Sequence, residues 1–135
     1  MIVAAAAAVL TFVSAPPVAA AAPASVDAYP TSDFYIEGYD GSYFSGTVTW
    51  YNRSVGVAGI YNAVGCTRVY MAALDGRRVL DERSTSLHCN KVTLENIPLS
   101  ANVPGGADRV YIDIRNEHGI LLDWTNCWRA TMLCD

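Results

Sequence analysis

From Phe44 onward the chain alternates between apolar and polar side chains, the period of a strand with one buried face. Phe44, Gly46, Val48 and Trp50 share one side of a first strand, with Ser45, Thr47 and Thr49 opposite. Asn52-Arg53-Ser54 is a turn, and Val55, Val57, Gly59 and Tyr61 line one face of a second strand. A third runs over 67–74, where Val69, Met71 and Ala73 alternate with Tyr70, Ala72 and Leu74. Asp75-Gly76 signals a hairpin, because glycine tolerates the positive φ of a tight turn, and 79–85 is the return strand. A fifth strand over 92–97 is stopped by Pro98, and 103–107 is a corner. Val110, Ile112 and Ile114 alternate with Tyr111, Asp113 and Arg115 more cleanly than any other stretch. After a turn at 116–119, a last strand occupies 120–124.

Short strands separated by turn signals predict an all-β fold. The expected architecture is an antiparallel Greek-key sandwich, immunoglobulin-like, of about seven strands. Its inward face carries Trp50, Val69, Met71, Val110, Ile112 and Ile114. Asp113 alternates outward and is expected in solvent. Residues 43–135 form this domain, and 25–42, interrupted by Pro30, Gly38 and Gly41, form an irregular lead-in.

The first 24 residues have a different pattern. Positions 1–26 hold no charged side chain, and Ile2 to Val13 is apolar but for Thr11. Small residues and Pro16, Pro17 and Pro23 follow. This is the apolar and cleavage region of an export signal peptide. Ala22-Pro23-Ala24 places the cut before Ser25, while Val18-Ala19-Ala20 and Val26-Asp27-Ala28 also carry suitable small residues. A signal peptide has a basic start and Met1 is followed directly by Ile2, so the start is expected upstream. A membrane anchor is the competing reading. The stretch is long enough to span, but it is mostly Ala and Pro16-Pro17 interrupts it. The expected location is extracellular, with no membrane association after cleavage.

Composition sharpens this division. The 135 residues are 52% hydrophobic and 16% charged, and the Ala-rich leader carries the apolar excess. What remains is large enough to bury its own core. Thirteen acidic against 9 basic side chains, net charge −4, argue against nucleic acid, whose binding needs a basic face. Arg outnumbers Lys eight to one, which suggests a GC-rich genome.

Four cysteines in a small exported domain predict two disulfides with three possible connectivities. Cys66 and Cys89 bracket the Asp75-Gly76 hairpin almost symmetrically, at the open end of one strand pair. Cys127 and Cys134 then close a short C-terminal loop. Adjacent pairing is expected. A zinc site from Cys66, His88, Cys89 and Cys127 lacks the short Cys spacing such sites use. No metal and no cofactor is expected.

Catalytic constellations are weak. His88 lies beside Cys89 in a loop and His118 sits in a turn. No Ser occupies a Gly-x-Ser-x-Gly elbow. Asp81, Glu82, Asp113, Glu117 and Asp123 could supply a carboxylate pair for glycoside hydrolysis, but such pairs are common in any domain. Asp33, Glu37 and Asp40 match no calcium loop. Asn52-Arg53-Ser54 is formally a glycosylation acceptor and is read as a turn. Aromatics are the best clue. Tyr29, Phe34, Tyr35, Tyr39, Tyr43 and Phe44 crowd together, with Tyr51 and Tyr61 soon after. Rings on a rigid sheet can stack on sugars or anchor an interface. Tyr35, Tyr39, Tyr43 and Tyr51 are the candidate binding residues. Trp124 and Trp128 flank Cys127 and are expected to pack on its disulfide.

The chain resembles a group of small exported actinobacterial, Streptomyces-like proteins. The resemblance rests on Gly46-Thr47-Val48-Thr49-Trp50-Tyr51-Asn52-Arg53-Ser54-Val55, Gly65-Cys66, and Asn102 through Val110, with Cys89 and Cys127 also in place. It covers about 44–129 and implies export and fold; Cys134 departs from it. A second, local resemblance is to the Streptomyces subtilisin inhibitor family. It rests on Cys66-Thr67-Arg68, Tyr70, Asp75-Gly76-Arg77-Arg78, Glu82-Arg83 and Cys89. It implies a rigid reactive loop beside a disulfide, although that family's earlier Cys pair is absent. The sequence thus predicts a secreted, non-catalytic module that binds a cell-wall glycan or a protein. A secreted protease inhibitor and a small hydrolase are the alternatives.

Overall fold

A computed structural model describes Ser14 and residues 29–135. The expected export peptide and its cleavage sites lie, Ser14 apart, outside the described residues.

Eight strands follow one another: β1 (Thr31–Glu37), β2 (Tyr43–Trp50), β3 (Ser54–Asp75), β4 (Arg78–Ser84), β5 (His88–Ser100), β6 (Arg109–Asn116), β7 (Leu121–Trp128) and β8 (Leu133–Cys134). All pairings are antiparallel, and among the described residues there is no helix. The all-β antiparallel expectation holds, with one strand more than expected. Three differences account for the count. The second and third expected strands are one 22-residue strand, β3. Residues 31–37 of the lead-in form β1, whose Ser32, Phe34 and Ile36 are buried in strict alternation. Leu133 and Cys134 add β8.

The gap expected between the second and third strands does not end the strand: the β3–β5 register shifts between Ala63 and Cys66, around Gly65, which marks a bulge rather than a termination. Gly46 and Gly59 face each other across β2 and β3. A Cβ on Gly46 would lie 2.0 Å from the Ala58 carbonyl oxygen, and one on Gly59 2.2 Å from that of Ser45. The two backbones therefore approach more closely than any side chain allows. β5 likewise runs through Pro98. Proline survives there because β5 is an edge strand, paired only with β3.

β3 organises the sheet. Along one edge it pairs first with β2 and then with β6; along the other, first with β5 and then with β4. This divides the sheet into two wings. The first holds β1, β2, the early half of β3 and β5. The second holds the later half of β3, β4, β6, β7 and β8. The wings fold onto each other, and the Glu37 N–H of β1 donates to the Asp123 carboxylate of β7 at 2.9 Å. β5 also reaches β4, since the Ser100 N–H of β5 donates to Asp81 of β4 at 2.8 Å.

Between the wings lies one core. Phe34, Ile36, Phe44, Val48, Trp50, Val55, Val57 and Tyr61 come from the first wing, and Val69, Met71, Val110, Ile112 and Ile114 from the second. All six residues expected to face inward are buried. Each large apolar side chain so buried is worth about 2 kcal/mol. Polar atoms taken inside keep partners: the Trp50 indole N–H donates to Ser32 Oγ at 2.9 Å, and the Tyr61 hydroxyl bonds Thr67. Among the described residues, no buried side-chain nitrogen or oxygen lacks a hydrogen bond.

Candidate functional site

The cysteines pair as expected, Cys66 with Cys89 and Cys127 with Cys134. Each pair faces itself across two strands. Cys66–Cys89 stands just past the open end of the Asp75-Gly76 hairpin, whose last β3–β4 pair is Tyr70↔Ser84, and it belongs to the β3–β5 ladder that continues to Ser54 and Ser100. His88 is in that ladder too, not in a loop. It is buried, 5.0 Å from the Tyr61 ring, with Nδ1 3.4 Å from Thr93 Oγ1. His118 stays in an exposed turn beside Glu117. Among the described residues, no three His, Cys, Asp or Glu side chains gather to hold a metal ion. Asp33, Glu37 and Asp40 instead accept hydrogen bonds from Thr47, Tyr35 and the Ser42 N–H.

The four candidate tyrosines divide between the two ends of β2. Tyr35 and Tyr43 stack on the outer face of the first wing, centroids 6.0 Å apart. The Tyr35 hydroxyl donates to Glu37 at 2.6 Å, and that bond raises its pKa above the ordinary value. Tyr39 is exposed in the turn after β1. Tyr51 lies beyond the far end of β2, edge-on to Tyr29 at 4.7 Å. At about 3.3 Å per residue, Tyr43 and Tyr51 are about 26 Å apart. They make no common surface.

A larger aromatic surface lies on the outer face of the second wing. Strand register builds it. Tyr70 of β3, Asp113 of β6 and Trp124 of β7 form one row. Ala72, Tyr111 and Asn126 form the next, and Leu74, Arg109 and Trp128 a third. Tyr111 lies 6.2 Å from Tyr70 and 6.3 Å from Trp124, its ring nearly parallel to the indole. Arg115 covers Tyr70 at 5.5 Å and Arg109 covers Trp128 at 5.4 Å, both within the range of cation–π attraction. A groove of about 320 Å³ opens between Tyr70, Ala72, Val79, Arg109 and Tyr111.

Asp113 holds this surface together and corrects an expectation. It points outward, as its alternation requires, yet it is fully buried. Tyr111 and Arg115, two residues to either side on the same face, lean over it. The Tyr111 hydroxyl donates to Oδ2 at 2.8 Å, and Arg115 donates from Nη2 at 2.6 Å and from Nε at about 3 Å. Tyr70 donates its hydroxyl to Glu82. Burial first, and these hydrogen bonds next, push the Tyr70 and Tyr111 hydroxyls up to about 12. Both stay neutral donors in ordinary solution, and their ring orientation is held by the acids beneath.

Trp124 and Trp128 do not pack on the disulfide as expected. They lie four residues apart, so they share the outer face, while Cys127 between them points into the core. Trp124 keeps 49% of its surface exposed. The Trp128 indole donates to Asp135 at 3.1 Å. Tyr70, Tyr111, Trp124 and Trp128 were absent from the sequence candidates, although alternation already put Tyr70 and Tyr111 outward. The missing information was that β6 lies between β3 and β7, which turns separate outward rings into neighbours.

No protein-family model matches the chain, and no curated protein or solved structure matches it significantly.

Proposed function

We propose that the protein is an exported, non-catalytic binding module whose contact surface is the outer face of the second wing. Its ligand is a glycan chain, with a cell-wall polysaccharide as the first candidate. The observation that carries this reading is the ladder Tyr70–Tyr111–Trp124, three rings spaced 6.2 and 6.3 Å on adjacent strands beside a groove. The apolar C–H face of a sugar ring stacks on such a surface, the groove's arginines supply donors for sugar oxygens, and the tyrosine hydroxyl oxygens, whose own hydrogens go to Glu82 and Asp113, accept from sugar hydroxyls. Rigid strands hold the rings, so little ordering opposes binding. Two disulfides suit an exported protein, and no helix of the described residues is long and apolar enough to cross a membrane. A protease inhibitor would call for an exposed extended loop tied to Cys66 or Cys89; both cysteines stand in paired strands, which favours the binding module.

Co-sedimentation with purified cell-wall glycan, followed by fluorescence titration with soluble fragments, tests the proposal. Trp124→Ala and Tyr111→Ala should each weaken binding at least about tenfold, the effect of losing about 1.4 kcal/mol. Tyr35→Ala, on the other wing, should leave it unchanged. A wild-type protein that stays in the supernatant with every glycan would remove the proposal. Retention of secreted proteins in place of glycan would transfer the same surface to a protein ligand.

A further inference from the structure

The outer edge of β5 is unpaired. As a strand β5 pairs with β3 alone, and its register is unbroken from Ala63↔Lys91 to Ser54↔Ser100. Two observations tell which residues point their backbone groups away from β3. The Ser100 N–H goes to the Asp81 carboxylate, not to β3, whereas the Ala101 N–H reaches Arg53. Proline at 98, which has no N–H, sits two residues earlier on the same parity. Even-numbered residues therefore aim outward, and Val92, Leu94 and Asn96 present free donors and acceptors at the edge. The Val92 and Leu94 side chains are 63% and 83% exposed. Asn90 bounds this edge on one side: it has φ 47° and its side chain accepts from the Gly65 N–H. Pro98 bounds it on the other.

Such an edge is a template for another strand unless something blunts it. The residues along it are complementary to themselves. Read in opposite directions about Thr93, Lys91 falls opposite Glu95, Val92 opposite Leu94, and Thr93 opposite its own copy. We propose that the protein forms a two-fold dimer by antiparallel pairing of β5 with β5 of a second copy, centred on Thr93. The backbone parity agrees with this register. Val92 of one copy and Leu94 of the other both point across the junction, so each such pair exchanges two N–H···O bonds, and two-fold symmetry repeats them. Lys91 and Glu95 stand on one face of the strand and Val92 and Leu94 on the other. Opposite charges and apolar pairs thus meet across the junction, which is the arrangement that stabilises neighbouring strands.

Other registers lose this match. Centring on Leu94 sets Lys91 against Ile97, and centring on Glu95 or Lys91 sets like charges face to face. Among the described residues Lys91 makes no ion pair within its own chain. Glu95 accepts from Thr93 Oγ1 at 2.9 Å through Oε1, and His88 Nδ1 lies 3.8 Å from the same oxygen. No residue of β5 lines the aromatic groove, so the paired edge and that surface share no side chain.

Sedimentation equilibrium of the full chain with both disulfides formed tests the proposal. The wild type should dimerise. Lys91→Glu should raise the dissociation constant at least about tenfold, since each interface then opposes two carboxylates twice. The reversed pair, K91E with E95K in one chain, should restore dimers, and a mixture of the two single variants should form heterodimers. Leu94→Pro deletes an outward donor without touching the ladder to β3, and should give a folded monomer by far-UV circular dichroism. A wild-type monomer at millimolar concentration would overturn the proposal. So would a reversed pair that associates no better than either single variant, or a folded Leu94→Pro protein that still dimerises.

Discussion

Removing Arg115 should destabilise the protein more than removing Asp113, although each deletion breaks the same ion pair. The asymmetry comes from burial. Asp113 is fully buried while the Arg115 side chain is 41% exposed. Truncating Arg115 to Ala strands a buried carboxylate with only the Tyr111 hydroxyl to satisfy it. Leaving one ion of a buried pair uncompensated costs about 3–5 kcal/mol, and the partly open surface here puts the expected loss near the lower end, about 3 kcal/mol. Truncating Asp113 leaves instead a guanidinium and a half-buried hydroxyl that water can reach, so the loss is that of ordinary hydrogen bonds, about 1–2 kcal/mol. The double variant R115A/D113N removes the stranded charge and should recover most of the R115A loss. Urea unfolding at neutral pH with intact disulfides measures all three, and equal slopes would show that the unfolding transition is comparable. An R115A loss equal to or smaller than the D113A loss would refute the assignment of the penalty to Asp113.

Two further outcomes follow from the close contacts of the sheet. Gly46→Ala should cost about 3 kcal/mol, the upper end for overpacking, because its new Cβ meets the Ala58 carbonyl, which cannot move without breaking the ladder; thermal unfolding reads this, and a loss below about 1 kcal/mol would count against the close approach. Asp81 is held below the ordinary value of 3.8, chiefly by the Ser100 N–H and further by Arg83. Asp81→Ala should therefore cost about 2 kcal/mol at neutral pH, the worth of a hydrogen bond to a charged group. Because the folded value lies below the unfolded one, that stability is complete above 3.8 and disappears as pH falls through the folded value. Wild type and variant should converge in acid, and a difference that persists there would exclude the carboxylate as its source.

Much of the fold was legible because alternation is local. Val110, Ile112 and Ile114 announce a buried face without help from any distant residue, and all three are buried. The hairpin at Asp75-Gly76 and the adjacent disulfides were legible for the same reason, since short loops limit what can meet. Boundaries were not. Gly65 and Pro98 carry the chemistry of breakers, yet β3 bends past the one and β5, as an edge strand, tolerates the other. β1 was hidden because Pro30, Gly38 and Gly41 enclose a run whose alternation is only seven residues long.

The candidate site was legible only in kind. Crowded aromatics drew attention to Tyr35, Tyr39, Tyr43 and Tyr51, and proximity in sequence proved a poor guide to proximity in space. The proposed binding surface takes Tyr70, Tyr111 and Trp124 from three strands that are neighbours in the sheet although β3 and β6 are not consecutive in the chain.

The sequence by itself determined the class of the molecule: antiparallel strands, two local disulfides, and which side chains share a face. These depend on period, turn chemistry and loop length, all of which act within a few residues. Only the tertiary structure decided which faces become neighbours. Hydrogen bonding between strands is indifferent to sequence, so the adjacency of β3, β6 and β7, the burial of outward-pointing Asp113, and the open edge of β5 arise from how the long strand bends to close one core. The same alternation that puts Asp113 outward could not say that Tyr111 and Arg115 would close over it.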